Sequence, residues 1–254
     1  MSIARKILMG AAGVSGEGTY VDDVFSAYLF NGNSGTQTIT NGINFAEEGG
    51  MVWCKSRTGG HHEIADTERG TATGNNGGRI LRANDTSAQS SGDVGHGFTS
   101  SGFTLGFVSG DINWSPRSGI SWSFRKAPGF FDVVTYTGTG SARTVAHNLG
   151  SVPGMILVKR TDTSDNWNVY HREMHSTSPA GYYLQLNTTD SIGGASNRWN
   201  NTPPTATEFT VGTAPVVNAN GGTYVAYIFG GGDATNIDIT SKTLTNLGDS
   251  FLGS

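Results

Sequence analysis

His61-His62-Glu63, with Asp66 and Glu68 close behind, is the densest group of potential ligands in the chain. Zinc binding or general acid–base work would need such groups converged on one point. The cluster follows a Gly59-Gly60 turn and lacks His-Glu-x-x-His spacing, which sets two imidazoles on one helical face. It reads as a solvated strand end. Asp162, Asp165 and Glu173 are the carboxylates available for sugar hydrolysis, which needs a pair about 5–10 Å apart across a cleft. They sit near a loop without a burial signal. No Gly-x-Ser-x-Gly elbow and no phosphate loop occurs, and Gly74 to Gly78, with no Lys and no helix after it, reads as a turn. The expectation is a protein that is not an enzyme and uses no cofactor or metal.

Aromatic residues offer a different chemistry. Trp114, Trp167 and Trp199 fall in loops or at strand ends, and Trp199 is followed by Asn200-Asn201. A sugar ring stacks on an exposed indole and is oriented by amide hydrogen bonds, so Trp114, Trp167, Trp199 and Asn200 are candidate glycan or interface contacts. The competing reading is that each Trp closes the open end of its sandwich. His171 joins the set as a pH-sensitive interface residue, or else as a polar residue on the outer face of a strand. Trp53 and Trp122 lie in apolar strands and read as core, as does Cys54.

The elements that would position these residues come in two copies. Met51-Val52-Trp53-Cys54-Lys55 returns as Met155-Ile156-Leu157-Val158-Lys159, and Phe103-Thr104-Leu105-Gly106 as Phe209-Thr210-Val211-Gly212. Gly32 recurs as Gly138, Leu81-Arg82-Ala83-Asn84 as Leu184-Gln185-Leu186-Asn187, and Trp122 as Tyr227. The repeating unit is about 105 residues, twice the usual length of a solenoid repeat and long enough to bury its own core. Short strands separated by Gly/Asn turns, with no segment of helical period, predict an all-β chain of two tandem jelly-roll-like β-sandwich domains. The division is an N-terminal arm (1–19), repeat 1 (20–127), repeat 2 (128–231) and a C-terminal tail (232–254). In the tail, Ile237-Asp238-Ile239-Thr240 alternates and reads as a lone strand for pairing with another subunit.

Composition sets limits on partners. Glycine is 38 of 254 residues, charged residues are only 14% and net charge is −4, so nothing draws the chain to nucleic acid or an anionic membrane. No apolar run is long enough to span a bilayer. Ile7-Leu8-Met9 is too short for a secretory core, which predicts synthesis in a cytoplasm without general export.

A family resemblance rests on the second copy. Gly129-Phe130-Phe131-Asp132-Val133-Val134-Thr135-Tyr136-Thr137-Gly138, His147-Asn148-Leu149-Gly150-Ser151-Val152-Pro153-Gly154-Met155-Ile156 and Val217 to Phe229 resemble stretches in structural proteins of marine tailed bacteriophages of the cyanophage and pelagiphage type. The likeness covers about 23–230 and is weaker in the first copy, where His61-His62-Glu63 stands in place of Trp167. It implies a virion component: a tail fibre, appendage or adaptor serving assembly and host attachment. A head-associated or carbohydrate-binding protein is the alternative, and a surface glycan hydrolase a more distant one. Expected partners are copies of itself as a trimer, other tail or neck proteins and a host-surface glycan. Ile3, Ile7, Leu8 and Met9 would anchor the arm during assembly by strand addition.

Overall fold

β-Branched and aromatic residues alternating between Gly/Asn turns form short strands, because such side chains fit a pleated, half-buried surface. The computed structural model describes residues 19–70, 79–90, 96–106, 112–232 and 237–238. The anchor residues Ile3, Ile7, Leu8 and Met9, the Gly74–Gly78 turn and Ile239-Thr240 lie outside the described residues. The first half contains β1 (Thr19–Tyr20), α1 (Val21–Val24), β2 (Phe25–Asn31), β3 (Gln37–Thr40), α2 (Phe45–Glu48), β4 (Gly50–Ser56), β5 (His62–Asp66), β6 (Leu81–Arg82), β7 (His96–Thr99), β8 (Gly102–Leu105) and β9 (Ser118–Arg125). The second contains β10 (Phe131–Thr137), β11 (Arg143–Ala146), β12 (Pro153–Arg160), β13 (Asn168–His171), β14 (Tyr182–Gln185), β15 (Gly193–Gly194), α3 (Ser196–Trp199), β16 (Glu208–Val211), α4 (Pro215–Asn218) and β17 (Thr223–Gly230). β18 (Ile237–Asp238) follows.

The chain is therefore mostly β, in several antiparallel sheets, and its two halves are wired alike. The first half has a large sheet in the order β2-β9-β4-β5-β6 and a small one, β3-β8-β7; the second has β10-β17-β12-β13-β14-β15 and β11-β16. Register agrees residue by residue. Met51 faces Phe124 as Met155 faces Phe229, and Trp53 faces Trp122 as Leu157 faces Tyr227. Buried amides repeat as well. Asn113 donates to the carbonyls of Gly35 and Gly106 and accepts from the Asn33 N–H. Asn218 donates to Ser141 and Gly212 and accepts from the Thr139 N–H. Each side chain replaces the ladder bonds that a turn cannot supply. Gly32 and Gly138 have to be glycine, since a Cβ would lie 2.5 Å from the Trp114 carbonyl oxygen and 2.2 Å from that of Ala219.

Burial follows from three apolar clusters. Phe30, Ile39, Val52, Cys54, Phe103 and Leu105 fill the space between the first half's large and small sheets. Tyr136, Val145, Ile156, Val158, Phe209 and Ile228 do the same in the second. A third cluster joins the halves: Met51, Ile64 and Leu81 from one large sheet pack with Phe131, Val133, Leu157, Val225 and Tyr227 from the other. The two large sheets thus meet face to face, and the repeats share an interior.

Two expectations are corrected here. Trp122, read as core, is only half-buried, as are Ile120 and Phe124 on the same face of β9; Gly119, Ser121 and Ser123 are the buried residues of that strand and point at the first half's own core. Asn41 donates to the Ser123 hydroxyl, which satisfies it there. Ile237–Asp238 is not a lone strand: it pairs parallel with Thr19–Tyr20 of the same chain.

Candidate functional site

The strongest candidate is a cleft of about 660 Å³ where the halves part, within the size range of small-ligand sites. Its walls are Trp53, His62, Ala83 and Asn84 on one side and the Leu186–Asp190 segment on the other. Sequence differences between the copies open it. The register makes His62 the counterpart of Trp167 and Ala83 the counterpart of Leu186, so the first half lines the cleft with smaller side chains.

Hydrogen bonds fix the walls. The His62 N–H donates to Asn84 Oδ1 at 2.8 Å, as the Trp167 N–H donates to Asn187 Oδ1 at 2.9 Å. Asn187 also donates to Asn166 at 2.7 Å, so both ends of its amide are engaged. Trp53 packs edge-on against Trp122, with ring centroids 6.1 Å apart, and its buried Nε1 has no hydrogen-bond partner. Burial, with Lys55 and His61 nearby, holds the His62 pKa below its ordinary value, which keeps the ring neutral at pH 7. Thr189 and Asp190 are exposed at the rim. An indole wall with amide, hydroxyl and carboxylate groups around it suits a neutral polyhydroxylated ligand.

A second cleft of about 580 Å³ also spans the halves; Arg69, Arg79 and Gln89 face Thr135, Thr161 and Thr223 across it. Beneath it lies a buried polar cluster. Arg69 Nε donates to Asp66 Oδ2 at 2.6 Å, and the Arg69 backbone N–H donates to Oδ1 at 2.8 Å. Tyr227, from the other half, donates its hydroxyl to Asp66 at 2.6 Å and accepts from Arg69 at 3.1 Å. Burial pushes the Tyr227 hydroxyl well above its ordinary pKa, so it stays protonated and keeps donating. Burial disfavours the Arg69 charge, but Asp66 and Tyr227 more than offset this. The cluster pins the halves together and presents no free nucleophile.

The residues singled out in the sequence do not form one site. Trp167 is fully buried in the central cluster, stacked on Tyr227, and its Nε1 donates to the Arg82 carbonyl at 2.9 Å. Trp199 is 2% exposed and packs edge-on against Tyr170 in the second half's own core. Neither presents a face to a sugar, and both are corrected to core residues. Trp114 is 55% exposed, His171 is half-buried on β13 with Nδ1 accepting from the Glu173 N–H, and Asn200 is exposed. Asn200 closes α3 in the left-handed conformation, φ 53°, which asparagine tolerates better than most residues.

The acidic cluster is corrected too. Strand alternation sends His62 and Glu63 to opposite faces of β5, and Glu63 and Asp66 are buried, not solvated. Glu63 lies opposite Cys54; burial, and then Glu63, push the thiol well above its ordinary pKa. Among the described residues no three His, Cys, Asp or Glu side chains gather as a metal site would need. Asp162 is gripped by Arg160 at 2.8 and 3.0 Å, which holds its carboxyl below the ordinary range. That is the opposite of what a general acid requires.

The residues that line the cleft were missed because Trp53 reads as core and Thr188-Thr189-Asp190 carries no motif. The only available signal was the contrast between copies, His62 against Trp167 and Ala83 against Leu186.

Searches against curated proteins and against solved structures return no match. A family model matches residues 21–233, running through both repeats as one unit. The chain belongs to the family described as a domain of unknown function, DUF7483.

Proposed function

We propose that the chain is a structural component of a bacteriophage virion: a tail fibre, tail appendage or adaptor built from two tandem β-sandwich domains and working through assembly and host attachment. The resemblance of residues 129–229 to phage structural proteins supports the reading. The structural observation that carries it is the fusion of the repeats. A shared apolar cluster and the Asp66–Arg69–Tyr227 hydrogen bonds join them, which suits a stiff, load-transmitting unit better than a pair of hinged modules. The β1–β18 pair also brings Thr19–Tyr20 beside Ile237–Asp238, so the arm and the tail join the body side by side. Ile3, Ile7, Leu8 and Met9 are the proposed anchor to a tail or neck protein.

Deletion of residues 2–18 tests this. The truncated chain should stay soluble and folded but fail to enter particles; incorporation at the normal copy number sinks the anchor.

A second reading, carbohydrate recognition on the host, is supported by the Trp53–Asp190 cleft. Asp190→Ala combined with Thr189→Val, both at exposed positions, should weaken binding to host-surface glycan without changing thermal stability. Undiminished binding sinks that reading.

A further inference from the structure

One face of the first large sheet is left uncovered. Register places Ala27 opposite Trp122 and Leu29 opposite Ile120, and Trp122 opposite Trp53. These five side chains therefore share a face, with Lys55 at the strip's border opposite Ile120. Leu29 is 62% exposed, Ala27 is exposed, and Ile120, Trp122 and Trp53 are only half-buried. An apolar strip anchored by two indoles is the composition expected at the centre of a protein interface.

The repeat identifies what covers such a face. The counterparts of Ala27, Ile120, Trp122 and Trp53 in the second half are Val133, Val225, Tyr227 and Leu157. They are 0%, 0%, 0% and 2% exposed, while Thr135, the counterpart of Leu29 at the sheet's edge, is exposed. What covers them is the outer face of the first large sheet, a face of this same fold. Both members of several counterpart pairs belong to that internal cluster: Met51 and Met155, Ile64 and Val169, Leu81 and Leu184, and Phe124 and Phe229, whose ring centroids lie 5.4 Å apart. The fold therefore already packs this face against its own likeness. The uncovered strip is continuous with the internal cluster through Trp53 and Phe124.

We infer that the strip formed by Ala27, Leu29, Ile120, Trp122 and Trp53 is a self-association surface, closed by the same strip of a second copy across a two-fold axis. A face that packs on itself gives an isologous contact, which closes after two subunits. The pair takes the place of the three-fold assembly that the resemblance implies, and it holds whether or not the chain is carried on a virion.

Sedimentation equilibrium of the full chain tests it. The expected mass is twice the 26.6 kDa of one chain. Leu29→Lys and Ala27→Glu alter exposed side chains at the centre of the strip, and each should raise the dissociation constant at least about tenfold. Val152→Lys, at a 43% exposed site in the other half, should leave the mass unchanged. A single-chain mass at the highest soluble concentration overturns the inference. So does a three-chain mass, or a two-chain mass that Leu29→Lys and Ala27→Glu leave intact.

Discussion

Tyr227→Phe isolates the connection between the halves, because it removes one oxygen and leaves the ring in place. That oxygen donates to Asp66 at 2.6 Å and accepts from Arg69 at 3.1 Å. After the change Asp66 still holds the Arg69 backbone N–H and Nε, and Arg69 still reaches the Ile64 carbonyl at 3.2 Å. Two buried bonds to charged groups are lost, but both partners keep other bonds, so the net loss is about 1.5–3 kcal/mol. Each kcal/mol moves the melting temperature of a body this size by about 2–4 °C, so Phe should lower it by roughly 3–12 °C. Arg69→Leu strands the Asp66 carboxylate inside the protein and should cost about 3–5 kcal/mol. Urea unfolding followed by tryptophan fluorescence and by far-ultraviolet circular dichroism measures both. Tyr227 belongs to one half and Asp66 to the other, so both variants should shift one common transition seen by both probes. A Tyr227→Phe change below about 0.5 kcal/mol, in the range of an unremarkable surface substitution, would refute the reasoning. So would an Arg69→Leu transition that splits, with only one half's signal moving.

Three further outcomes are expected. Asn218→Ala removes the partner of the Ser141 and Gly212 carbonyls and of the Thr139 N–H; at about 1–3 kcal/mol per stranded buried group, calorimetry should find one of the larger single-site losses, and a shift of only a degree or two would contradict the shared amide wiring. Trp199→Ala empties a fully packed site and should cost about 3–5 kcal/mol, with host-cell binding by the variant that remains folded unchanged; lost binding at full stability would return Trp199 to the glycan site. Burial, with Arg69 adding, lowers the His96 pKa from 6.5 to about 4. Between those values the unfolded chain takes up a proton that the folded one refuses, so stability falls as pH drops through that window, by up to about 3 kcal/mol. His96→Phe, keeping a ring stacked on Phe103, should abolish that part of the acid loss, and parallel pH profiles of variant and parent would contradict it.

The repeat was legible in the sequence because its landmarks are backbone necessities. Gly32 and Gly138 admit no side chain, and the Met51 and Met155 strands are apolar on both faces. That second property held a further clue. A strand buried on both faces needs a layer on each side, and one small sheet covers only one, so the face-to-face packing of the large sheets was implicit in Val225-Ala226-Tyr227-Ile228. What one dimension hid was the covering of polar segments. Trp167 and Trp199 are flanked by Asn and Arg and read as loop aromatics, yet their segments lie over cores. Ser121 and Ser123 carry no apolar signal of burial, yet both are fully buried, and Asn41 donates to the Ser123 hydroxyl. Asn113 and Asn218 were indistinguishable from turn asparagines until their hydrogen bonds showed one role repeated. The cleft was hidden for a related reason: its walls come from segments about 100 residues apart that only the packing of the halves brings together.

The most direct test of the proposed virion role is to look for the chain in purified particles of a phage whose genome carries this sequence, by cryo-electron microscopy of virions in which the chain bears an epitope. The account predicts density for the label at the tail, at a fixed number of copies per particle. Particles that lack the protein altogether, while the infected cell retains it in soluble form, would contradict it.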